Sequence, residues 1–408
     1  MSTIPSLALI PSGYKGGSPK GTLYSVLPTD GTGDFDFTRS GNATRVNSEG
    51  LIESVSSNVP RLNYPLIDGV VQGCPSLFLE PQRLQLIQYS EDFSQGYWIK
   101  QSSTITSNSI ISPDGTLNAD LYTTSSATFD FIQTTGSFIV SGYSFSIFAK
   151  KGTSDKIDLA LTGAAFTDTR VVRFDLTNKT TETLGGILSS KIEEYPNGWF
   201  RCSIYAVTNA VGSGTIRILS GSTDNVSTLY IWGAQVEQGY LTSYIPNYGT
   251  ALGVTRSAET CNNAGDVNTF NDSEGVLFAE ISTFDDTSVK AITLGDGTSS
   301  NRIQFFYFNG ASIYGACIVG GVSQASIFTN IDVSSNIKVA FKYKVNDFAL
   351  WVNGFKVGID TNGTVPTGLN TLRFDNGVGG SNLDGSTKQI QYFDTALSDE
   401  ELALLTSL

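Results

Sequence analysis

The chain contains no histidine, a single methionine and four cysteines in 408 residues, and only 15% of its residues are charged. Without histidine there is no side chain whose ordinary pKa lies near neutrality, no Ser-His-Asp arrangement and no His-ligated zinc or iron site. Any catalysis would fall to carboxylates, Lys, Tyr or Cys. Cys74, Cys202, Cys261 and Cys317 are too far apart for a CxxC knuckle and too few for a disulfide framework, so free and mostly buried thiols are expected. Positive charge is also scarce: 25 Lys and Arg against 38 Asp and Glu give a net charge of −13, which repels a phosphate backbone and excludes nucleic acid as a partner. No stretch approaches 18 apolar residues, so no membrane insertion is expected. Met1 to Tyr14 lacks the basic flank and long apolar run of a signal peptide, which implies synthesis in a cytoplasm. GxGxxG, GxxxxGK[ST], GxSxG and HExxH are all absent, and with them the main support for dinucleotide, P-loop, serine-hydrolase and zinc-protease chemistry.

What the chain does have is 42 glycines and 45 aromatic residues, 17 Tyr, 24 Phe and 4 Trp, spread through short β-prone runs punctuated by turn clusters. Residues 1–75, rich in Gly, Ser, Pro and Asn, show only short apolar runs and cannot bury much of themselves alone. They either pack on the chain's own next domain or are ordered by contact with other chains, and the second is favoured. From 76 to 254 the spacing is that of a sandwich. In Tyr143–Lys150, Tyr143, Phe145 and Ile147 share one face while Ser144, Ser146 and Lys150 occupy the other, which predicts a half-buried strand. Further strands are expected at 170–176, 199–207, 215–219 and 228–236. From 255 to 408, Val339, Phe341, Tyr343 and Val345 alternate with Lys338, Ala340, Lys342 and Lys344, one set facing core and the other water. Asn353-Gly354 then supplies the positive φ angles of a type I′ hairpin turn. Ser398 with Glu401 forms a capping box for a short helix. The expected fold is therefore all-β: two β-sandwich (jelly-roll) domains in tandem, at 76–254 and 255–408, after an N-terminal extended, β-rich segment, with one short C-terminal helix.

Paired carboxylates of a glycanase would project from alternate positions of one strand, and no E-x-D-x-x-E occurs. Glu193-Glu194, Asp285-Asp286 and Asp399-Glu400-Glu401 place neighbours on opposite faces or at a helix start, where solvation and capping explain them. Asp34-Phe35-Asp36 and Asp296-Gly297 offer oxygens suited to Ca²⁺, although turn chemistry alone calls for Asp and Gly there. No other cofactor is indicated. Aromatic rings are the stronger lead, since their flat faces suit the C–H faces of sugars. Trp232 and Trp351 lie in apolar runs and are expected in the core. Tyr97 and Trp98, after Gly96 in a polar stretch, and Trp199, after Pro196-Asn197-Gly198, are the candidate sugar platform.

One ordered set of segments resembles a known family. Leu79-Glu80-Pro81-Gln82-Arg83 to Tyr89-Ser90-Glu91-Asp92-Phe93, Phe148–Gly152, Pro196–Cys202, Ile231–Glu237 and Thr242-Ser243-Tyr244-Ile245-Pro246 resemble the carbohydrate-binding-module-like jelly roll of tailed-bacteriophage fibre, spike and other virion proteins. Thr38-Arg39-Ser40-Gly41 and Ala43-Thr44-Arg45-Val46 are similar to the segment that precedes this module, and Val254-Thr255-Arg256-Ser257-Ala258 to its usual exit. The last part looks like a concanavalin A-like, laminin-G-type sandwich, with Leu350-Trp351-Val352-Asn353-Gly354 as its hairpin. The resemblance implies a virion fibre or spike subunit, a homotrimer made in a host cytoplasm and displayed on the particle. Residues 1–75 would join other virion proteins, and the sandwiches would adhere to host surface glycans without catalysis. It also implies that removing residues 1–75 leaves soluble sandwiches that no longer join the particle. A purely structural decoration or collar protein and a capsule-degrading glycanase are the alternatives.

Overall fold

The computed structural model describes residues 4–12, 23–25, 27–29, 33–126, 130–166, 169–187, 189–224, 226–284, 288–308, 312–332 and 334–408. Asp285-Asp286 lies outside these residues. As the strand-and-turn composition predicts, the chain folds into two β-sandwiches and one helix, Asp399–Thr406.

The middle sandwich pairs two six-stranded sheets. One runs, in spatial order, Ile99–Gln101, Phe131–Phe138, Gly212–Leu219, Lys156–Thr162, Arg170–Asp175 and Thr180–Thr183; the other runs Ser103–Ile111, Leu117–Thr124, Thr228–Gln238, Gly142–Lys151, Trp199–Val207 and Ser189–Tyr195. Phe145, Ile147, Leu159, Cys202, Ile218 and Ile231 fill the space between them. Gly142–Lys151 is buried on both faces rather than one, because Ser144, Ser146 and Phe148 on the outer face are also covered.

The second sandwich sets a five-stranded sheet against a nine-stranded one. In the larger sheet, Ile337–Lys344 carries Val339, Phe341 and Tyr343 inward as expected, but Val345 lies past the strand end and is exposed. The opposite face of the strand is only partly open to water: Ala340 and Lys342 are buried, whereas Lys344 is exposed. The C-terminal helix lies over it, with Leu402 packed on Ala340, Ala349 and Trp351. Asn353 and Gly354 have φ of 49° and 85°, as the type I′ turn requires, and the Ser398–Glu401 capping box forms.

The N-terminal segment corrects the expectation drawn from its composition. Its described residues are ordered by their own chain: Leu7–Leu9 pairs with Ile390–Tyr392, and Asp36–Thr38 pairs with Thr260–Asn262. Leu7, Leu9, Phe35 and Phe37 belong to the core of the second sandwich. Ser76–Leu79, just past the expected boundary, pairs with Gly385–Thr387 in the same large sheet. The second sandwich is thus assembled from both ends of the chain, and the middle sandwich is inserted into it. Entry and exit run side by side, Arg83–Gln85 antiparallel to Val254–Arg256.

Candidate functional site

Strand alternation sends Ser144, Ser146, Phe148, Arg201, Ser203 and Tyr205 to the outer face of the middle sandwich. Part of that face is sealed, since Ile52 of the hairpin Ala43–Val46/Ile52–Val55 packs with Phe148, Trp199, Trp232 and Tyr244 in a satellite core. Beside this core, a groove of about 1540 Å³ opens between the face, the N-terminal segment and the second sandwich at Phe78 and Phe284. Tyr64, Phe78, Tyr195, Tyr205, Tyr240 and Phe284 line it half-buried. Phe78 leans on Phe284 at 4.8 Å between centroids, and the Arg83 guanidinium sits 4.5 Å above the Tyr240 ring. Tyr205 lies across Gly142, where a Cβ would fall 1.9 Å from its hydroxyl, so a larger residue there would displace the ring.

The cations of the groove are matched, with one exception. Arg45 pairs with Glu53 at 3.3 Å, Lys191 with Glu193 at 2.7 Å, Arg83 with Glu237 at 3.8 Å, and Lys179 with Glu194. Arg201 is 5% exposed and makes no ion pair among the described residues. Its Nε and Nη2 donate to Ser146 Oγ at 3.4 and 3.3 Å, and its guanidinium lies 5.4 Å from the Phe148 centroid.

The structure does not support the platform expected from sequence. Trp98 is 1% exposed, with its ring against Phe93 and its Nε1 donating to the Tyr89 carbonyl at 2.9 Å. Trp199 is also 1% exposed, and its Nε1 donates to the Ile111 carbonyl at 3.1 Å. Neither indole offers a face to a ligand. The polar stretch around Gly96 folds back so that its aromatic residues pack on one another, which a composition-based view of exposure misses. Tyr97 is half-buried against Tyr89 and Trp98 and does not line the groove. Trp232 and Trp351 are in apolar cores, as expected. Arg201 went unremarked in the sequence, although a lone charge inside the apolar run Trp199–Val207 was the available signal.

Behind the groove, the segments that mark the two ends of the inserted module converge on one buried ionic cluster. Arg39 Nη1 donates to Glu259 Oε1 at 2.6 Å, Arg61 Nε to the same oxygen at 2.8 Å, and Arg256 Nη1 pairs with Glu80 Oε2 at 2.7 Å. All five side chains are at most 1% exposed. Burial would raise the Glu80 carboxyl, but Arg256 and Arg61 outweigh it and hold it at about 2. Burial likewise works against the Arg61 guanidinium, and Glu80 and Glu259 more than offset it, raising its pKa.

Two other polar clusters lie in the loops of the middle sandwich. Lys100 Nζ donates to the carbonyls of Ser94, Gln95 and Trp98, each at 3.0 Å, and so fills a cage of oxygens that could otherwise receive a cation. Glu91 accepts from Tyr244 Oη at 2.9 Å, and the Asn118 amide nitrogen bridges Glu91 and Asp114 at 3.1 Å to each. Burial pushes Glu91 up to about 7. The amide occupies the space between the two carboxyls, which leaves no room there for a scissile sugar linkage. Asp296 is taken up by its own turn, accepting from Thr298 N, Thr298 Oγ1 and Asn301 Nδ2. Asp34 Oδ1 accepts from Phe35 N and Ser25 Oγ. Among the described residues no three His, Cys, Asp or Glu side chains converge as metal ligands.

No family model and no curated protein matches the chain. Among solved structures, it is similar to the CBM40 module of the Ruminococcus gnavus IT-sialidase bound to α2,3-sialyllactose, with 16% identity over 34% of this chain and 84% of that one, at a TM-score of 0.30. It is also similar to domains LG4-5 of the mouse laminin α1 chain, with 11% identity over 83% of this chain and 96% of that one, at a TM-score of 0.25. A heptameric SAP-like pentraxin from Limulus polyphemus is similar over 32% of this chain and 68% of its own, with 14% identity and a TM-score of 0.25.

Proposed function

We propose that the protein is a non-catalytic glycan-binding subunit, and that its binding site is the groove between the two sandwiches. The observation that carries this is the lining: six half-buried aromatic rings, Tyr64, Phe78, Tyr195, Tyr205, Tyr240 and Phe284, around a space of about 1540 Å³ that exceeds the roughly 300–1,000 Å³ of a small-molecule pocket and suits an oligosaccharide. Rings take the C–H faces of sugars, and the hydroxyls and backbone groups at the groove take their polar edges. Such sites are individually weak, and display of several on one particle raises avidity by about 10² to 10⁴. The ordered sequence segments that resemble phage virion modules support a fibre or spike subunit that presents this groove to a host surface as a homotrimer.

A glycan array probed with the intact chain, in parallel with Tyr205→Ala and Tyr240→Ala, tests the proposal. At least one saccharide class is expected to bind, with loss of signal in both variants. No saccharide bound would overturn it in favour of a purely architectural role. New reducing ends after incubation with a bound polysaccharide would replace it with a glycanase. Sedimentation that gives a species of three times 43.6 kDa supports the homotrimer, and 43.6 kDa refutes it.

A further inference from the structure

Four arginines of this chain are buried, and three of them, Arg39, Arg61 and Arg256, sit on carboxylates at 2.8 Å or closer. Arg201 is the fourth. Its side-chain partners among the described residues are neutral hydroxyls: Ser146 Oγ, at 3.3 and 3.4 Å, and Tyr195. The Tyr195 hydroxyl sits beside it, and the tyrosine is pushed up to about 12 by burial while Arg201 pulls it back. Glu193 stands opposite Arg201 in the strand register, yet its carboxylate is turned to Lys191 at 2.7 Å. A guanidinium withdrawn from water without an anion is costly, and a fold retains one where something else supplies the charge. Arg201 lines the groove, so its residual exposed surface opens into the space assigned to the ligand.

We infer that the groove takes an anionic saccharide whose acid group docks on Arg201. This rests on the glycan-binding reading of the groove and narrows it. The acid carries a single negative charge, a carboxylate or a sulfate ester, because Arg201 is the one cation of the lining left unmatched among the described residues. Phe148 beneath the guanidinium and Tyr195 beside it hold the fork in place, so little of its side-chain freedom remains to be lost on binding.

The experiment compares matched pairs by isothermal titration on the intact chain: oligogalacturonate with its methyl ester, sialyllactose with lactose, and a sulfated with an unsulfated galactan oligomer. Each acid is expected to bind roughly 10- to 100-fold more tightly than its neutral partner if its class is the right one, and the galactan arm separates sulfate from carboxylate. Arg201→Gln removes that preference while leaving weak binding of the neutral sugar, and Arg201→Lys restores part of it. Circular dichroism melting checks that Arg201→Gln is folded; if it is not, the ester comparison on the unaltered chain decides alone. Equal binding of acid and neutral partner in every pair would overturn the inference and leave the glycan groove standing. No saccharide bound in any arm would overturn both.

Discussion

Arg61 donates through Nε to Glu259 Oε1 at 2.8 Å across 198 residues of sequence, with both side chains closed to solvent. The bond ties the N-terminal segment to the connection just past the strand that leaves the inserted sandwich. Glu259→Gln deprives Arg39 and Arg61 of their shared countercharge inside the protein. A loss of about 3–5 kcal/mol is expected, read as a lower urea midpoint with an unchanged slope. A change within 0.5 kcal/mol would mean that water reaches the cluster.

Acid and neutral pH act on different carboxyls. Glu80, held at about 2 against an ordinary 4.5, contributes stability that is complete above pH 4.5 and is lost as the pH falls toward 2. Glu91, raised to about 7, and Asp120, raised by burial to about 6, have the opposite sign: their contribution is complete below the ordinary carboxylate range and is lost as the pH rises through 6 to 7. Urea midpoints should therefore fall between pH 4.5 and 7, and Glu91→Gln should flatten that fall. Identical pH slopes for the two proteins would show that Glu91 titrates normally.

The described part of residues 1–75 packs into the second sandwich. Their removal strips Leu7, Leu9, Phe35 and Phe37 from the core of the second sandwich, each worth about 1.5–3 kcal/mol of burial, against a whole-domain stability of about 5–15 kcal/mol. It also leaves Glu80 and Glu259 without Arg39 and Arg61. The truncated chain is expected to lose the protease resistance and cooperative melting of the second sandwich, contrary to what the composition of the segment suggests. A truncated protein with an intact melt would show that the segment adds nothing to that core.

Local features were readable in the sequence because their causes are local. The Asn353-Gly354 turn, the Ser398–Glu401 capping box and the inward face of Tyr143, Phe145 and Ile147 need only neighbouring residues. What covers the other face of a strand is decided by distant chain, so the burial of Ser144 and Ser146, and the helix over Ala340, were not apparent. For the same reason the short motifs around Arg39, Glu80 and Arg256 could be noticed as markers but not recognised as partners. The candidate site suffered most, since Trp98 looked exposed from the polarity of its flanks and the turn before Trp199 left its side undecided, while Arg201 is notable only for an ion pair it lacks among the described residues.

Thiol chemistry offers a direct check on the packing. Cys74 is exposed, whereas Cys202, Cys261 and Cys317 are buried, and burial raises all three thiols. A disulfide reagent such as Ellman's should modify one thiol per native chain and four in denaturant. Two or more fast thiols in the native protein would mean that one of the cores opens readily.

The paired entry and exit strands also determine how the molecule would bear tension. If a ligand held by the inserted sandwich is pulled away from whatever anchors the second one, the force passes through both strands of the neck at once. The short Arg83–Gln85 and Val254–Arg256 ladder holds the two strands side by side but carries little of that load, because the covalent backbone runs through both. Resistance to rupture would then fall on the arginines and glutamates clasped behind it, which must be separated together.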